Sequence, residues 1–395
     1  MEIDNTYKDD KMKSKIIVLA NKYPNNIEPN VNVFTQQITW SFADLGYECI
    51  VLCPNALNYD KRNKTLKEID SESTEQGNQI KILRPRYWGL GQDGERFQKT
   101  RVSITTRNYI AAANKVIKSI DLSNAVIFAE FLCPSGVAAS ILGERYGLRA
   151  YMQCGEATYQ GDRKYGNKKL KNKLLSNLTG VIALSGQNRD YLTDAGVVPN
   201  DKIIVLPSGY RKDRIYPRDK VESRKRLGLP LDKFIVGFCG SYDDRKGVLR
   251  LEKAVDMIND PDVCFAACGK GECMPTSSKC VWTGPINHDE LAYFYSALDV
   301  YAMPTYNEGS CTAIVEAIAC GCPIISSDRS FNYEICEESN SILIDPDDIE
   351  GIRDSIMFLK ENNEERARLS KGSLIMAEKL SLDEKAKKVV KFMNI

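Results

Sequence analysis

The stretch that most constrains the fold is 303–328, which reads MPTYNEGSCTAIVEAIACGCPIISSD. An apolar segment precedes it, its polar loop opens a helix near Cys311, and a second apolar strand follows at 324–326. Gly321 and Pro323 end the helix in the usual order, with glycine just past the last turn and proline soon after. Apolar strands on both sides of a loop and a helix predict a parallel βαβ unit.

Two acids interrupt the apolar pattern of this unit, Glu308 on the loop and Glu316 inside the helix. Burying a lone carboxylate costs several kcal/mol, so we expect Glu316 to have a hydrogen-bonding partner. The first turn of the helix points unpaired backbone N–H groups, with the positive end of the helix dipole, at whatever lies beside Gly309 and Ser310. An anion next to a carboxylate that accepts from hydroxyl groups matches the diphosphate and ribose of a sugar nucleotide.

The segment 308–325, EGSCTAIVEAIACGCPII, resembles the donor-site signature of retaining GT-B glycosyltransferases of family 4, the group 1 type. The alternative is a buried strand–loop–helix–strand unit with one satisfied core acid. The flanking Pro-Thr, the glycine at 309, the Ala-Cys-Gly triplet and the Ser-Asp pair favour the family.

Composition sets the broad limits. The 395 residues are enough for two domains. No segment approaches the apolar length of a membrane span, and the first fifteen residues lack the apolar core of a signal peptide. The chain has thirteen cysteines, no Cys-x2-Cys pair and one histidine, His288, which cannot anchor a Cys/His zinc site. We therefore expect reduced thiols, a cytoplasmic location and no metal site.

Buried strands alternate with helices along the chain, which predicts an α/β fold. The resemblance implies a GT-B architecture, in which two Rossmann-like βαβ domains face each other across a cleft. We place an acceptor-side domain at 1–210 and a donor-binding domain at 211–380, because 205–209, VLPSG, resembles the family's crossing between domains. The resemblance also implies that the last helix, 381–395, packs back on the first domain.

Local patterns add three structural expectations. Residues 55–79 are polar and are expected to form a mobile excursion. Asn287 with Glu290, and Ser381 with Glu384, have capping-box spacing and predict two helix starts. His288, inside the first box, is expected to be a surface residue at that helix start.

The donor-side residues follow from the resemblance. The segment 240–248, GSYDDRKGV, resembles the motif whose lysine neutralises the donor diphosphate, which is Lys246 here. Ser241 stands where the family commonly has arginine, and Arg245 is the candidate replacement cation. The predicted catalytic residues are Glu308, Lys246 and Arg245, and the predicted donor-binding residues are Ser241, Gly269, Gly271, Ile286, Gly309, Ser310, Cys311, Thr312 and Glu316.

The predicted acceptor side comprises Asn32, Gly155 and Glu156. Asn32 lies in a loop where the family usually has glycine, and asparagine tolerates left-handed backbone. Cys154 replaces a histidine that family members commonly carry, so a base role assigned to that histidine does not transfer. Glu156 is either an acceptor contact or a surface acid at a strand end.

Residues 163–175 carry six basic residues and no acid. Such a run indicates either a solvated helix face or a surface that touches anionic lipid headgroups. In the second case the protein would be peripheral on the inner face of the plasma membrane.

The resemblance implies a metal-independent, retaining hexosyltransferase-type enzyme. It would move a sugar from a nucleotide donor, with UDP favoured over GDP, to a hydroxyl of a glycan or lipid-linked acceptor in polysaccharide or glycoconjugate biosynthesis. It implies no further cofactor and no nucleic-acid partner. Two alternatives stay open: a non-catalytic GT-B subunit that scaffolds a partner, and a sugar-nucleotide epimerase.

Overall fold

The computed structural model describes residues 14–89, 104–156 and 174–395. The strands are β1 Lys15–Leu19, β2 Glu48–Leu52, β3 Asn55–Ala56, β4 Ile69–Ser73, β5 Gln79–Leu83, β6 Arg86–Tyr87, β7 Ala125–Glu130, β8 Arg149–Cys154, β9 Gly180–Ala183, β10 Ile203–Val205, β11 Phe234–Cys239, β12 Val263–Cys268, β13 Cys280–Gly284, β14 Val300–Met303, β15 Ile324–Ser327 and β16 Ser341–Ile344. The α-helices are α1 Val33–Asp44, α2 Ile104–Ile117, α3 Val137–Tyr146, α4 Gly186–Asp194, α5 Lys220–Leu227, α6 Val248–Asp256, α7 Leu291–Ser296, α8 Thr312–Ala319, α9 Ile349–Glu361, α10 Asn363–Lys379 and α11 Leu382–Met393.

The first sheet has the order β10-β9-β8-β7-β1-β2-β5-β4. Strand β1 pairs in parallel with β2 and β7, whereas β4 at the edge is antiparallel to β5. Every residue of β1 and β7 is buried. Near-continuous apolar strands of this kind are typical of parallel sheets covered on both faces.

The second sheet has the order β13-β12-β11-β14-β15-β16, and its pairings are parallel. Strands β12, β14 and β15 are buried along their whole length. Strands alternate with helices in the sequence and, apart from the β4–β5 edge pair, pair in parallel in both sheets, so the predicted α/β class is confirmed.

The described residues divide into two compact units. The first comprises 14–89, 104–153, 174–180 and 389–395, and the second comprises 154–156 and 181–388. The end of α11 belongs to the first unit, where the Met393 carbonyl accepts from Arg149 Nη1 at 2.6 Å and from the Tyr151 hydroxyl at 3.1 Å. The boundaries expected from sequence, 1–210 and 211–380, stay a prediction.

Residues 55–79, expected to form a mobile excursion, contain regular secondary structure. This segment contains β3, a short 3-10 helix at Lys61–Thr65, and β4. Strand β4 is polar because it is an edge strand with no fully buried residue. Its Glu72 also accepts hydrogen bonds from Tyr23, Gln36 and Trp40. The backbone ladder and this carboxylate supply the order that an apolar pattern would have signalled.

Half of one predicted capping box forms, because the Glu384 carboxylate pairs with Lys387 at 2.7 Å instead of bonding to the Ser381 backbone N–H. The backbone N–H of Glu384 donates to Ser381 Oγ at 3.3 Å ahead of α11. The side chain of Asn287 makes no capping hydrogen bond, and a 3-10 turn at His288–Glu290 precedes α7. The prediction fails there because the Glu290 carboxylate pairs with Arg226 instead, at 2.6 and 2.7 Å.

A buried charge pair anchors the amino-terminal edge of the second sheet. Asp299, just before β14, accepts from Arg224 Nη2 at 2.7 Å and from the backbone N–H of Ile235 at 2.7 Å. The Arg224 and Asp299 side chains are only 6% and 11% exposed. Removing one partner from such a pair leaves a buried charge without compensation.

We expect Asp299→Asn to lower the free energy of unfolding by about 3–5 kcal/mol, because it leaves the Arg224 guanidinium buried without its counter-charge. Glu290→Gln, which disrupts the more exposed Arg226 pair, should cost at most about 1 kcal/mol. Urea denaturation of both variants measures the difference. Equal losses would show that Asp299 does not carry this role.

Candidate active site

The predicted donor-side residues follow strands of the second sheet at their carboxyl ends. The strand order runs from β13 back to β11 and then from β14 on to β16, so the direction of chain progression reverses between β11 and β14. Ligands of parallel α/β sheets bind at such reversals, outside the carboxyl ends of the strands. The loops after these two strands, 240–247 and 304–311, contain Lys246 and Glu308.

Glu308 joins the two predicted cations. Its Oε1 atom accepts from Arg245 Nη1 at 2.6 Å, lies 2.7 Å from Lys246 Nζ, and accepts from Thr305 Oγ1 at 3.2 Å. Glu308 is buried, whereas the Arg245 side chain is 38% exposed. Arg245 Nη2 also lies 3.9 Å from Asp243 Oδ2, so two cations and two carboxylates meet at this point. The two cations are held beside each other, as recognition of an anionic group requires.

The loop backbone fixes the position of Lys246. The Lys246 backbone N–H donates to Asp243 Oδ1 at 2.9 Å. Burial alone would lower the pKa of Lys246, but the neighbouring Cys311 and Glu308 raise it above its usual value. The lysine is therefore an ammonium ion at neutral pH.

Arg250 is a residue that sequence reasoning missed. It is buried, and its Nε and Nη2 atoms donate to the Pro304 carbonyl at 3.1 and 2.8 Å. Its Nη2 also donates to the Arg245 carbonyl at 3.3 Å. Arg250 thus ties the loop after β14 to the loop after β11, and only its position in a Lys-Gly-Val-Leu-Arg segment could have signalled this.

The loop that leads into α8 is tightly packed. A side chain at Gly309 would collide with the Gly155 carbonyl, so these two glycines, predicted on opposite substrate sides, lie against each other. Ser310 Oγ accepts a hydrogen bond from the Ser208 backbone N–H at 2.9 Å, so one acceptor position of that hydroxyl is already used. Cys311 is the N-cap and offers no capping side-chain bond, while Thr312 is exposed.

Glu316 has the hydrogen-bonding partner that the sequence requires. The Tyr295 hydroxyl donates to its Oε2 atom at 3.0 Å. Burial raises the pKa of Glu316 to about 7, against the opposing effect of the Tyr295 hydrogen bond. Its charge state therefore changes near neutral pH.

The only histidine of the chain lies beside this acid. His288 Nε2 is 3.6 Å from Glu316 Oε1, although the imidazole side chain is 41% exposed. Burial and the nearby Arg214 lower the pKa of His288, so the imidazole is neutral at pH 7 and the contact is not an ion pair. The expected surface position at a helix start was right, but its contact with Glu316 was missed.

Two predicted glycines are explained by backbone packing. A side chain at Gly269 would collide with the Gly240 carbonyl, and one at Gly271 with the Tyr242 carbonyl. Tyr242, which sequence reasoning did not single out, is fully buried, and its hydroxyl lies 3.0 Å from Thr283 Oγ1. These close approaches bring the loops after β11, β12 and β13 together.

The other two donor-side predictions lie on these same loops. Ser241 is exposed and donates to Asp243 Oδ2 at 2.6 Å. Ile286 is half-buried against the core of the second unit. Contact of either residue with a donor stays a prediction.

The predicted acceptor-side residues fall in both units. Asn32 belongs to the first unit and has the left-handed backbone expected for a glycine replacement, with φ 45° and ψ 42°. Gly155 and Glu156 belong to the second unit, where Glu156 Oε2 accepts from the Cys154 thiol at 2.9 Å. Burial and Glu156 raise the pKa of Cys154 well above its usual value. That thiol stays protonated and does not replace a histidine base.

Other expectations concern the whole chain. None of the thirteen cysteines forms a disulfide in this structure. Among the described residues no cluster of three or more His, Cys, Asp or Glu side chains has a metal-binding arrangement. Within the same residues, each helix is too short or too polar to cross a bilayer. The basic run 163–175 lies outside the described residues except for its last two positions.

Comparison with known families gives one match within the second unit. Residues 219–374 match the model of the family described as glycosyl transferases group 1. This region contains every predicted catalytic and donor-binding residue.

Curated relatives are distant in sequence. A Bacillus subtilis (strain 168) glycosyltransferase named for teichuronic acid biosynthesis, TuaC, is 25% identical over 353 residues, which are 87% of this chain and 88% of that protein. The D-inositol 3-phosphate glycosyltransferase of Xylanimonas cellulosilytica is 27% identical, over 47% of this chain and 49% of that protein. The chain therefore spans most of the first relative and about half of the second.

Solved structures match nearly the whole chain. Sucrose-phosphate synthase from Thermosynechococcus elongatus has a TM-score of 0.73 at 19% identity, covering 96% of this chain and 98% of that one. Anabaena Alr3699/HepE in complex with UDP has a TM-score of 0.72 at 15% identity, covering 96% and 99%. These likenesses confirm the predicted GT-B fold with its Rossmann-like domains.

Glu316 makes stability depend on pH. Its pKa is about 7 in the folded chain and 4.5 in an unfolded reference, so the folded state binds the extra proton between these values. The stabilisation is complete below pH 4.5 and is lost as pH rises through about 7. Between pH 5.5 and 8 we expect the wild type to lose about 2 kcal/mol more unfolding free energy than Glu316→Gln.

Chemical denaturation of both proteins at the two pH values measures this difference. His288 is present in both, so its own protonation contributes to both curves. Parallel pH profiles would mean that Glu316 titrates at an ordinary pKa.

Proposed function

We propose that this chain, which belongs to the glycosyl transferases group 1 family through residues 219–374, is a retaining hexosyltransferase that needs no metal ion. In this proposal it transfers a sugar from a nucleoside diphosphate sugar to a hydroxyl of a glycan or lipid-linked acceptor. The observation that carries the proposal is the cluster of Glu308, Arg245 and Lys246 at the strand reversal.

The fixed cations of this cluster suit a diphosphate. Glu308 holds Arg245 and Lys246 side by side, and the start of α8 adds backbone N–H groups and the positive end of a helix dipole. Fixed donors of this kind are worth most where negative charge develops in the transition state. Here that charge develops on the departing diphosphate.

The bonds balance without a further reactant. The bond between the anomeric carbon and the diphosphate oxygen breaks, and its electron pair leaves with the diphosphate. The acceptor oxygen bonds to the same carbon on the same face, and the released diphosphate takes up the hydroxyl proton. Arg245 and Lys246 stabilise the leaving group in place of a divalent metal ion.

The two acids have different roles in this proposal. Glu308 faces the sugar and holds the two cations, so it acts where ring charge develops. Glu316 accepts from the ribose hydroxyls of the donor. Its pKa of about 7 means that donor affinity should rise as pH increases through neutrality, because the carboxylate is the better acceptor.

The relatives suggest the biological setting. The likeness to the glycosyltransferase named for teichuronic acid biosynthesis supports a role in polysaccharide biosynthesis. The fold match to a UDP complex supports UDP as the donor nucleotide. A cytoplasmic location, and membrane contact through 163–175, rest only on the sequence.

Lys246→Met should weaken UDP binding by roughly 10- to 100-fold while changing uridine binding little, because a charge-assisted contact contributes about 1.5–3 kcal/mol. Isothermal titration calorimetry with both ligands measures the split. The matched control is Lys253→Met, an exposed lysine on α6, which should bind UDP like wild type. Equal losses for UDP and uridine would remove the diphosphate role of Lys246.

Glu308→Gln should lower the kcat of the reaction that releases UDP from the preferred UDP-hexose by a factor of about 10² to 10³. UDP affinity should be kept or increased, since the substitution leaves the two cations with more net charge. A thermal-shift panel of UDP-hexoses first identifies the donor. The exposed Glu364→Gln is the control. If Glu308→Gln turns over like wild type, the acid is structural and the catalytic proposal fails.

A further inference from the structure

Two cysteines lie opposite each other at the carboxyl ends of neighbouring strands in the second sheet. Cys239 is the last residue of β11, Cys268 is the last residue of β12, and the parallel register pairs these two positions directly. The Gly240 backbone N–H donates to the Cys268 carbonyl at 2.9 Å, which fixes the register at this point. Among the strand pairings of the described residues, this is the one that places two cysteines opposite each other.

The pairing puts the two thiols within reach of a covalent bond. Directly paired residues point to the same face of a sheet, and neighbouring strands lie about 4.8 Å apart. A disulfide joins residues whose Cα atoms are about 4.4–6.8 Å apart. The two thiols already share a hydrogen bond, so neither strand has to move far for the sulfur atoms to join.

The two thiols differ in exposure and in acidity. Cys239 is half-buried, whereas Cys268 is buried. The hydrogen bond from Cys239 lowers the pKa of Cys268 below its usual value, against the opposing effect of burial, and the Ile286 backbone N–H adds to this lowering. The thiolate is the form that reacts with oxidants, and oxidation-sensitive cysteines commonly lie next to a second thiol. Cys268 is therefore suited to react first, and Cys239 to complete a disulfide.

Each thiol contacts a residue of the candidate donor site. The Tyr295 hydroxyl, which donates to Glu316 Oε2 at 3.0 Å, also shares a hydrogen bond with Cys239. The backbone N–H of Ile286, on the loop after β13, bonds to the Cys268 thiol. A disulfide has neither an S–H proton nor a thiolate charge, so its formation weakens both contacts. The close packing of the loops after β11, β12 and β13 leaves them little room to absorb the change.

We propose that Cys239 and Cys268 form a disulfide when the protein meets hydrogen peroxide, and that this bond weakens nucleotide binding at the candidate donor site. The first half of the proposal concerns the two thiols alone. The second half rests on the proposed function, in which a nucleoside diphosphate sugar occupies that site.

The reaction balances with hydrogen peroxide as the oxidant. The Cys268 sulfur attacks one peroxide oxygen, the O–O bond breaks, and the other oxygen leaves as water after taking up the thiol proton. The Cys239 sulfur then attacks the Cys268 sulfenic acid, and the S–S bond forms as a second water leaves with the Cys239 proton. The two thiols lose two electrons in total, and peroxide is reduced to two molecules of water.

The test treats the full chain with hydrogen peroxide, blocks the remaining thiols and maps the digested chain by mass spectrometry without reductant. We expect two peptides joined through Cys239 and Cys268. In calorimetry the oxidised protein should bind UDP about tenfold more weakly, which lies within the usual range of coupling between two sites. Dithiothreitol should reverse both changes. Absence of the joined peptides, or an unchanged UDP affinity of the bridged protein, overturns the proposal.

Cysteine variants separate this bond from other oxidation. Each variant is compared with its own reduced form. The UDP affinity of Cys268→Ala should not respond to peroxide. Cys280→Ala is the matched control and should respond like wild type, because Cys280 is half-buried on the neighbouring strand but lies opposite Phe265, and burial raises its pKa. A loss of UDP affinity in oxidised Cys268→Ala would assign the effect to another thiol and overturn the proposal.

A second variant tests the order of the two steps. Cys239→Ser keeps a hydroxyl that can donate to Cys268 but cannot form the disulfide. Peroxide should therefore leave Cys268 as a sulfenic acid, which dimedone traps for mass spectrometry. No adduct at Cys268 would show that this thiol does not react first, against the proposal.

The coupling between oxidation and binding is reciprocal. A ligand that binds the dithiol form tenfold more tightly than the disulfide form raises the reduction potential of the pair by about 30 mV. We expect this shift when saturating UDP is added to the protein in glutathione buffers of graded potential. A potential that UDP does not change contradicts the proposal.

The two proposals fail separately. If the reduced wild type binds no UDP, the proposed function fails, and peptide mapping still decides whether the thiols join. If the reduced wild type binds UDP but peroxide joins no peptides, only the thiol proposal fails.

Discussion

The carboxylate of Glu308 is the interaction on which the site depends. Its Oε1 atom holds both Arg245 and Lys246 within 2.7 Å, so two like charges stay together on one short loop. That carboxylate offsets the repulsion between the two cations in the free protein, as a bound diphosphate would in the complex. The same contact joins the loop after β11 to the loop after β14, on either side of the strand reversal. One oxygen atom of Glu308 therefore both contacts the two cations and links the two loops at the strand reversal.

Backbone packing makes this arrangement rigid. Gly269 and Gly271 let their loop lie directly against the loop of Gly240 and Tyr242, and Gly309 does the same against Gly155. The nearest neighbour of each of these three glycines is a backbone carbonyl oxygen, so a single added methyl group would force the loops apart. Glycines that resemble nucleotide contacts in sequence thus also have a structural cause, independent of any ligand.

The sequence predicted what periodicity and local motifs encode. The βαβ alternation, the ends of α8 and the partner of Glu316 follow from apolar spacing and from the cost of an unpaired buried carboxylate. It could not predict partners that come from distant segments. The Glu290 carboxylate pairs with Arg226, 64 positions away, rather than completing the capping box. His288 reaches Glu316 from another loop, and β4 is ordered by Glu72, which no hydrophobic pattern reveals.

Both units place polar side chains at the carboxyl ends of their parallel strands, and in both the cations are already paired. In the second unit, Arg245 and Lys246 share Glu308, and Arg245 Nη2 also lies 3.9 Å from Asp243 Oδ2. In the first unit, Lys22 lies 3.1 Å from Glu28. The two sites differ in burial, because the Lys246 and Glu308 side chains are only 14% and 10% exposed, whereas those of Lys22 and Glu28 are 56% and 41% exposed. Solvent screens an exposed ion pair strongly and a buried one weakly, so the fixed charges after β11 and β14 act on a ligand far more strongly than the exposed pair of the first unit.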